Sequence, residues 1–307
     1  MRIAAMAAGA VGGYFGARMA AAGHDVFFIA RGANLAAMKA NGLKIESVHG
    51  DLHLPKPNVT DDPKSVGAVD IVLFAVKLWD TEAAAAQAKP LVGPNTRVIT
   101  LQNGVDSVER VAPILGADRT NGGAAYIATV IGSPGVIKHT SHFAKMRYGR
   151  ADKKPDAMLQ AFTDAGKAAK LDVDISADIN VELWEKFIFL TAMAGSTGSM
   201  RSPIGAIRSD PELRGFFRAL MQEAYTVGRA KGVALADDYV EGRMKFLDTI
   251  EPGMKASMAH DLERGNRIEL DWLAGKVRAL GREHNIPTPA SDTVYTVLKL
   301  YRMGSRP

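Results

Sequence analysis

Between Met1 and Arg31 the apolar positions fall into two short runs separated by a run of small residues. Ile3 to Ala7 is an apolar segment of strand length, and Gly9, Ala10, Val11, Gly12 and Gly13 follow at once. Tyr14 to Ala22 reads as a small-residue helix that stops at Gly23, and Asp25 to Ala30 is a second apolar run. Strand, helix and strand joined this closely fit a parallel β-α-β crossover. Leu43 to Val48 and Leu52 to Leu54 read as short strands, and Val69 to Val76 is a near-continuous apolar run of the kind buried on both faces of a parallel sheet. The alternation continues with a helix over Asp80 to Leu91, a strand over Thr96 to Leu101 and a helix over Val105 to Leu115. Ala124 to Val130 and Val136 to His139 continue the sheet around the turn Gly132-Ser133-Pro134-Gly135, and Ala157 to Val173 is a last helix and strand. Beyond Asp178 only helical spacing remains, to Tyr301, broken at Ser202-Pro203, Asp210-Pro211, Glu251-Pro252-Gly253 and Ile286-Pro287-Thr288-Pro289. The pattern predicts an α/β domain with a doubly wound parallel sheet over residues 1–175 and an all-helical domain over residues 176–307.

Composition narrows the function classes. The 307 residues are 47% hydrophobic and 23% charged, enough to bury a large core in two domains. There is no cysteine, which removes disulfides and thiolate metal sites, and no metal site is expected. The net charge of +5 is spread among interleaved acids and bases, so nucleic acid is not an expected partner and an anionic cofactor and substrate account for the surplus. The longest apolar stretch, around Phe187 to Gly195, is too short to span a bilayer, and Met1 leads straight into the first strand. A soluble cytoplasmic enzyme is the expectation.

Candidate chemistry begins at the glycine turn. Ala7, Ala8, Gly9, Ala10, Val11 and Gly12 spell A-x-G-x-x-G between a strand and a helix. Glycine at 9 lets backbone N–H groups approach a pyrophosphate, glycine at 12 lets helix and strand pack closely, and the helix N-terminus favours an anion. Alanine at position 7 is tolerated if its φ stays negative. The second strand ends on Arg31, where an acid would read a ribose 2′-hydroxyl; a cation there suits a 2′-phosphate, so NADPH is the expected cofactor. Lys77 and Asn103 each follow an apolar strand, at the edge where open α/β sheets bind ligands, although a surface lysine and a turn-forming Asn103-Gly104 would look the same. In the helical half, Lys186 stands at the edge of an all-round apolar helix. It is either a lysine tuned toward neutrality as a general acid or a partner of Glu182 one turn back. If Glu269 is helical, its neighbours one turn away are Gly265, Asn266, Trp272 and Leu273, none cationic, which leaves a distant arginine or a substrate hydroxyl to satisfy it.

Seven motifs in order carry a family resemblance: the glycine turn, Arg31, AVKLWD around Lys77, LQNGVD around Asn103, ELWEKF around Lys186, KASMAHDLERG around Ser257 and IELDWLAG around Glu269. Together, from Met1 to about Tyr301, they resemble the ketopantoate reductase (2-dehydropantoate 2-reductase) family. The resemblance implies a Rossmann-type N-terminal domain, a helical C-terminal domain, an active site between them, and reduction of the ketone of 2-dehydropantoate by NADPH. It also implies roles. Lys186 matches the proton donor, Asn103 the contact to nicotinamide and substrate, Ser257 a substrate-binding hydroxyl, and Glu269 the carboxylate at cofactor and substrate. Arg31 and Lys77 match the cofactor-binding cations, the backbone near Ala128 would lie by the cofactor, and a homodimer is plausible for the family.

The chain departs from that pattern in three places. Leu190 and Ala194 stand four and eight residues after Lys186 where family members carry substrate-binding asparagines, and Ala274-Gly275 replaces an Asn-Gly. Three lost hydrogen-bonding groups relax selectivity for the hydroxyl and carboxylate of ketopantoate, so a reductase of a bulkier 2-oxo acid or ketone is the rival reading. A non-catalytic NADPH sensor is the other. It would keep Gly9, Gly12 and Arg31 but would have no use for Lys186, Glu269 and Asn103 together.

Overall fold

The computed structural model describes residues 1–305, in two compact units that meet in sequence at Glu182 and Leu183. That boundary lies inside a helix, seven residues beyond the break at 175 expected from the pattern.

The first unit runs β1 (Arg2–Met6), α1 (Ala10–Ala21), β2 (Asp25–Ile29), α2 (Gly32–Asn41), β3 (Leu43–Ser47), β4 (Leu52–Leu54), β5 (Asn58–Thr60), β6 (Val69–Phe74), α3 (Thr81–Ala88), β7 (Val92–Thr100), α4 (Ser107–Leu115), β8 (Thr120–Ser133), β9 (Val136–Gly149), α5 (Ala157–Ala168) and β10 (Asp172–Ile175). The strands form one sheet in the order β4-β3-β9-β8-β7-β6-β1-β2-β5, with β10 also on β9. β1 lies between β2 and β6, parallel to both, so the chain leaves it in opposite directions and opens a crevice at its carboxyl end. Side chains of β1 alternate between two cores. Ile3 and Ala5 pack with Phe15, Phe28 and Tyr148 on one face, Ala4 and Met6 with Phe74, Leu91 and Val111 on the other. Both faces are covered by helices, which is why β6 reads as an unbroken apolar run.

The sheet is mixed rather than wholly parallel. β8 and β9 are antiparallel, as are β3 and β4. The reason is geometric: only Pro134 and Gly135 separate β8 from β9, and so short a link can close a hairpin but cannot make a crossover. β9 is also far longer than the expected Val136 to His139. Its first residues pair with β3, from Lys44 opposite Val136 to Ser47 opposite His139, and its last pair with β10, from Asp172 opposite Lys145 to Ile175 opposite Tyr148.

The second unit is helical: α6 (Ile179–Ser199, its first turn still in the first unit), α7 (Ile204–Ser209), α8 (Pro211–Ala230), α9 (Tyr239–Leu247), α10 (Ser257–Glu263), α11 (Ala274–Glu283) and α12 (Pro289–Leu298). α8 shows the local logic well. Asp210 accepts from the N–H groups of Glu212 and Leu213, Pro211 fills the first helical position, and Phe217, Leu220, Met221, Ala224 and Val227 form the buried stripe. From the same helix Glu223 reaches across to cap α12, its carboxylate accepting from the N–H groups of Ala290 at 2.7 Å and Ser291 at 2.8 Å. Among the described residues no helix is long and apolar enough to cross a membrane, and no acid, histidine or cysteine cluster could hold a metal ion.

Candidate active site

Strand ends bring the first set of candidates to one edge of the sheet. The ladder runs on past the strands, with Ala8 N–H bonded to Ile29 O, Ala75 N–H to Met6 O and Leu101 N–H to Phe74 O. The glycine turn, Arg31, Lys77 and Asn103 therefore all leave neighbouring parallel strands at their carboxyl ends. Gly12 is there of necessity, since a Cβ at this position would lie 2.8 Å from Ala7 O and 3.3 Å from Ala75 Cβ. A Cβ on Gly9 would meet nothing within 4 Å, so this side of the turn is open. No side chain caps α1 and its first turn carries no acid, leaving the N–H groups of Ala10, Val11 and Gly12 directed at that space. The cradle fits a dinucleotide pyrophosphate.

The expectation for Ala7 is corrected. Its φ is +62°, in the left-handed region, where an alanine is strained by about 1–2 kcal/mol. The sharp exit from β1 fixes this backbone whatever residue stands there, so the methyl is accommodated at a cost rather than avoided.

Arg31 is the N-cap residue of α2 and keeps 68% of its side-chain surface exposed; its guanidinium Nη2 lies 3.3 Å from Asp80 Oδ2. Lys77 is exposed, with its ammonium 5.6 Å from the centre of the Trp79 ring. Asn103 is half-buried in the loop before α4, beside Gly104 at φ +101°. Ala128 sits at the register shift between β8 and β9, where its N–H donates to Ser141 Oγ at 2.9 Å. A break of this kind re-aims the backbone that a regular ladder would consume.

The second unit holds the acid and base candidates. Lys186 lies on α6, half-buried, and its pKa is pushed down to about 8 by burial, against which the nearby Glu269 carboxylate acts to raise it. Glu182, the alternative partner one turn back, is engaged elsewhere: it accepts the Tyr126 hydroxyl at 2.5 Å. Glu269 is not helical. It stands in an irregular segment before α11, 5% exposed between the buried Ile268 and Leu270, so helical spacing cannot name its neighbours. The segment is held by Ile268 N–H bonding to Arg302 O and by the N–H groups of Trp272 and Leu273 both bonding to Glu269 O. Ser257 opens α10 and is exposed; the preceding Ala256 N–H bonds to Thr197 Oγ1 of α6 at 3.3 Å, which sets this helix start against the helix that carries Lys186. Leu190 is half-buried. Ala194 keeps 1% of its surface, so of the two apolar replacements only Leu190 has a face to offer a ligand.

Three polar groups around these candidates escaped the sequence reading. Asn34 donates to Ala8 O at 3.0 Å and accepts from Gly135 N–H at 2.8 Å, bracing the glycine turn against the β8–β9 hairpin. Tyr126 clasps Glu182 in the first turn of α6. Asp80 faces Arg31. Only Asp80 left a trace in sequence, as the last letter of AVKLWD; the other two act across distances that no periodicity encodes.

Comparison with known proteins adds an independent line. A family model described as Ketopantoate reductase PanE/ApbA matches residues 3–153, and its companion, Ketopantoate reductase PanE/ApbA C terminal, matches residues 178–302. A 2-dehydropantoate 2-reductase of Mesorhizobium japonicum is 32% identical over 325 residues, with 97% of each chain covered. The crystal structure of a PanE/ApbA family ketopantoate reductase from Ralstonia eutropha is similar at a TM-score of 0.90 and 31% identity, with 98% of each chain covered. D-mandelate dehydrogenase, in a ternary structure with NADH and anilino(oxo)acetate, has the same fold at a TM-score of 0.90 and 17% identity, again with 98% of each chain covered.

Proposed function

The chain belongs to the ketopantoate reductase PanE/ApbA family of NAD(P)-dependent oxidoreductases acting on 2-oxo acids, and from that premise we propose that it reduces 2-dehydropantoate to pantoate with NADPH and with Lys186 as proton donor. One observation carries the reading: the half-buried Lys186 lies in the field of the buried Glu269 carboxylate, and burial brings the lysine's pKa to about 8. A structural lysine at a helix edge would keep its ordinary value by extending into solvent.

The groups of the first unit suit the cofactor. The turn from Ala7 to Gly12 would hold the pyrophosphate, Arg31 and Lys77 would take the adenosine 2′-phosphate region, and Asn103 and the backbone at Ala128 would lie toward the nicotinamide. When bound, NADPH supplies the hydride. Charge that develops on the ketone oxygen is met by the Lys186 ammonium, which stabilises it electrostatically and then gives up its proton to the alkoxide. A pKa near 8 leaves that ammonium largely charged at neutral pH yet able to let the proton go. Glu269 keeps Lys186 protonated before turnover, while Asn103 and Ser257 orient the keto acid. A cytoplasmic homodimer belongs to the same reading.

A second reading is favoured by Leu190. An apolar side chain stands one turn from Lys186, where the family resemblance implies a hydrogen-bonding asparagine, and this suits a 2-oxo acid with a bulkier apolar group. In both readings Lys186→Ala lowers turnover by about two to four orders of magnitude while NADPH still binds. Lys186→Arg does not rescue it, because a guanidinium does not release its proton. Turnover retained at a tenth or more of the parent by Lys186→Ala would make the lysine structural.

A further inference from the structure

One anion faces the guanidinium assigned to the 2′-phosphate. Asp80 occupies the N-cap position of α3, where an aspartate ordinarily turns its carboxylate onto the N–H groups of the first turn. Here it makes no such bond, and Oδ2 lies 3.3 Å from Arg31 Nη2. Its backbone is firmly placed. Asp80 N–H donates to Lys77 O at 2.9 Å, Thr81 Oγ1 to Leu78 O at 2.8 Å, Gln102 Nε2 to Thr81 Oγ1 at 2.8 Å and Arg110 Nη2 to Leu78 O at 2.8 Å. The remaining acid of that helix start, Glu82, is held by Arg110 at 2.7 and 2.9 Å. On the Arg31 side, α2 has no acid in its first turn and no side chain capping it, so its N–H groups add to the attraction for an anion. Arg31 and the start of α2 favour a phosphate, and Asp80 opposes one.

We propose that Asp80 is a specificity-determining residue that moderates the preference for NADPH over NADH. Its carboxylate neutralises part of the Arg31 charge and repels a dianionic 2′-phosphate, while an uncharged 2′-hydroxyl is not repelled by it. The proposal rests on the reading that Arg31 receives the 2′-phosphate. Because the pair is exposed, its field is screened, and the effect is of the size such pairs reach, about twofold to fivefold in a binding constant.

The test is calorimetric titration of the full chain with adenosine 2′,5′-bisphosphate and with 5′-AMP, for the parent, Asp80→Asn, Asp80→Ser and Arg31→Ala. Asp80→Asn keeps the shape and a hydrogen-bond acceptor for Arg31 and removes only the charge. It should tighten the bisphosphate about twofold to fivefold at low salt, leave 5′-AMP unchanged, and lose most of the gain at high salt. Asp80→Ser should move in the same direction, and unaltered 5′-AMP binding reports that each variant is folded. If Arg31→Ala weakens the bisphosphate but neither Asp80 variant tightens it, the proposal for Asp80 fails alone. If Arg31→Ala leaves the bisphosphate unchanged, the reading of Arg31 fails and the proposal with it.

Discussion

At the scale of single residues, a lysine with its pKa at about 8 can act as an acid in one direction and a base in the other. The proposed reduction needs the ammonium. Its kcat/KM is therefore expected to be flat below pH 8 and to fall about tenfold per pH unit above it, while oxidation of the hydroxy acid rises through the same pH. Glu269→Gln removes the charge that raises the Lys186 pKa, so the break should move to lower pH; steady-state pH profiles of both proteins check the sign. A break that stayed in place in Glu269→Gln would assign it to another group. Lys186 was legible in the sequence as a charge at the edge of an apolar helix. Its relation to Glu269 was not, because the carboxylate lies in an irregular segment and reaches the lysine through tertiary packing.

At the scale of elements, the exit from β1 and the helix α6 each carry an expectation. Ala7 holds φ +62° at the exit from β1, so Ala7→Gly should relieve strain and raise stability by about 0.5–1.5 kcal/mol. Urea unfolding measures this as a higher midpoint at unchanged slope; an unchanged or lower midpoint would mean that the turn relaxes around the methyl. On α6, Leu190 can reward a larger substrate side chain by about 0.8 kcal/mol per buried methylene. A 2-oxo acid bulkier than 2-dehydropantoate should match or exceed it in kcat/KM, and Leu190→Asn should shift the ratio back. A strong parental preference for 2-dehydropantoate that Leu190→Asn leaves unchanged would remove this side chain from the specificity argument. Most elements were readable from their periods, β1 to α1 to β2 above all, since strand, glycine turn and helix follow one another without interruption. α2, β5 and the full length of β9 were not. α2 buries only Met38 and so shows little apolar period, β5 is three residues long, and β9 alternates His, Thr, Ser and Lys along a strand whose pairing partners change from β3 to β10 midway.

At the scale of the whole molecule, the candidates fall in both units. The first carries the turn, the cations and the amide at the carboxyl edge of its sheet, and the second carries Lys186 on α6 and Glu269 in the segment before α11. The division was legible as a change from mixed periodicity to purely helical spacing, although the chain passes between the units within α6 rather than in a loop. A linker would have left Gly, Pro or polar residues at the boundary; a shared helix leaves no such mark. The reaction, as proposed, requires contributions from both units, and its central claim is NADPH-dependent reduction of a 2-oxo acid. The most direct test is the kcat/KM for NADPH oxidation with 2-dehydropantoate, set beside a panel of 2-oxo acids with larger apolar groups. The account predicts turnover of 2-dehydropantoate or a bulkier relative at about 10⁴ M⁻¹ s⁻¹ or above, with loss of about two to four orders of magnitude in kcat for Lys186→Ala. NADPH that binds but is not consumed with any 2-oxo acid in the panel would contradict it.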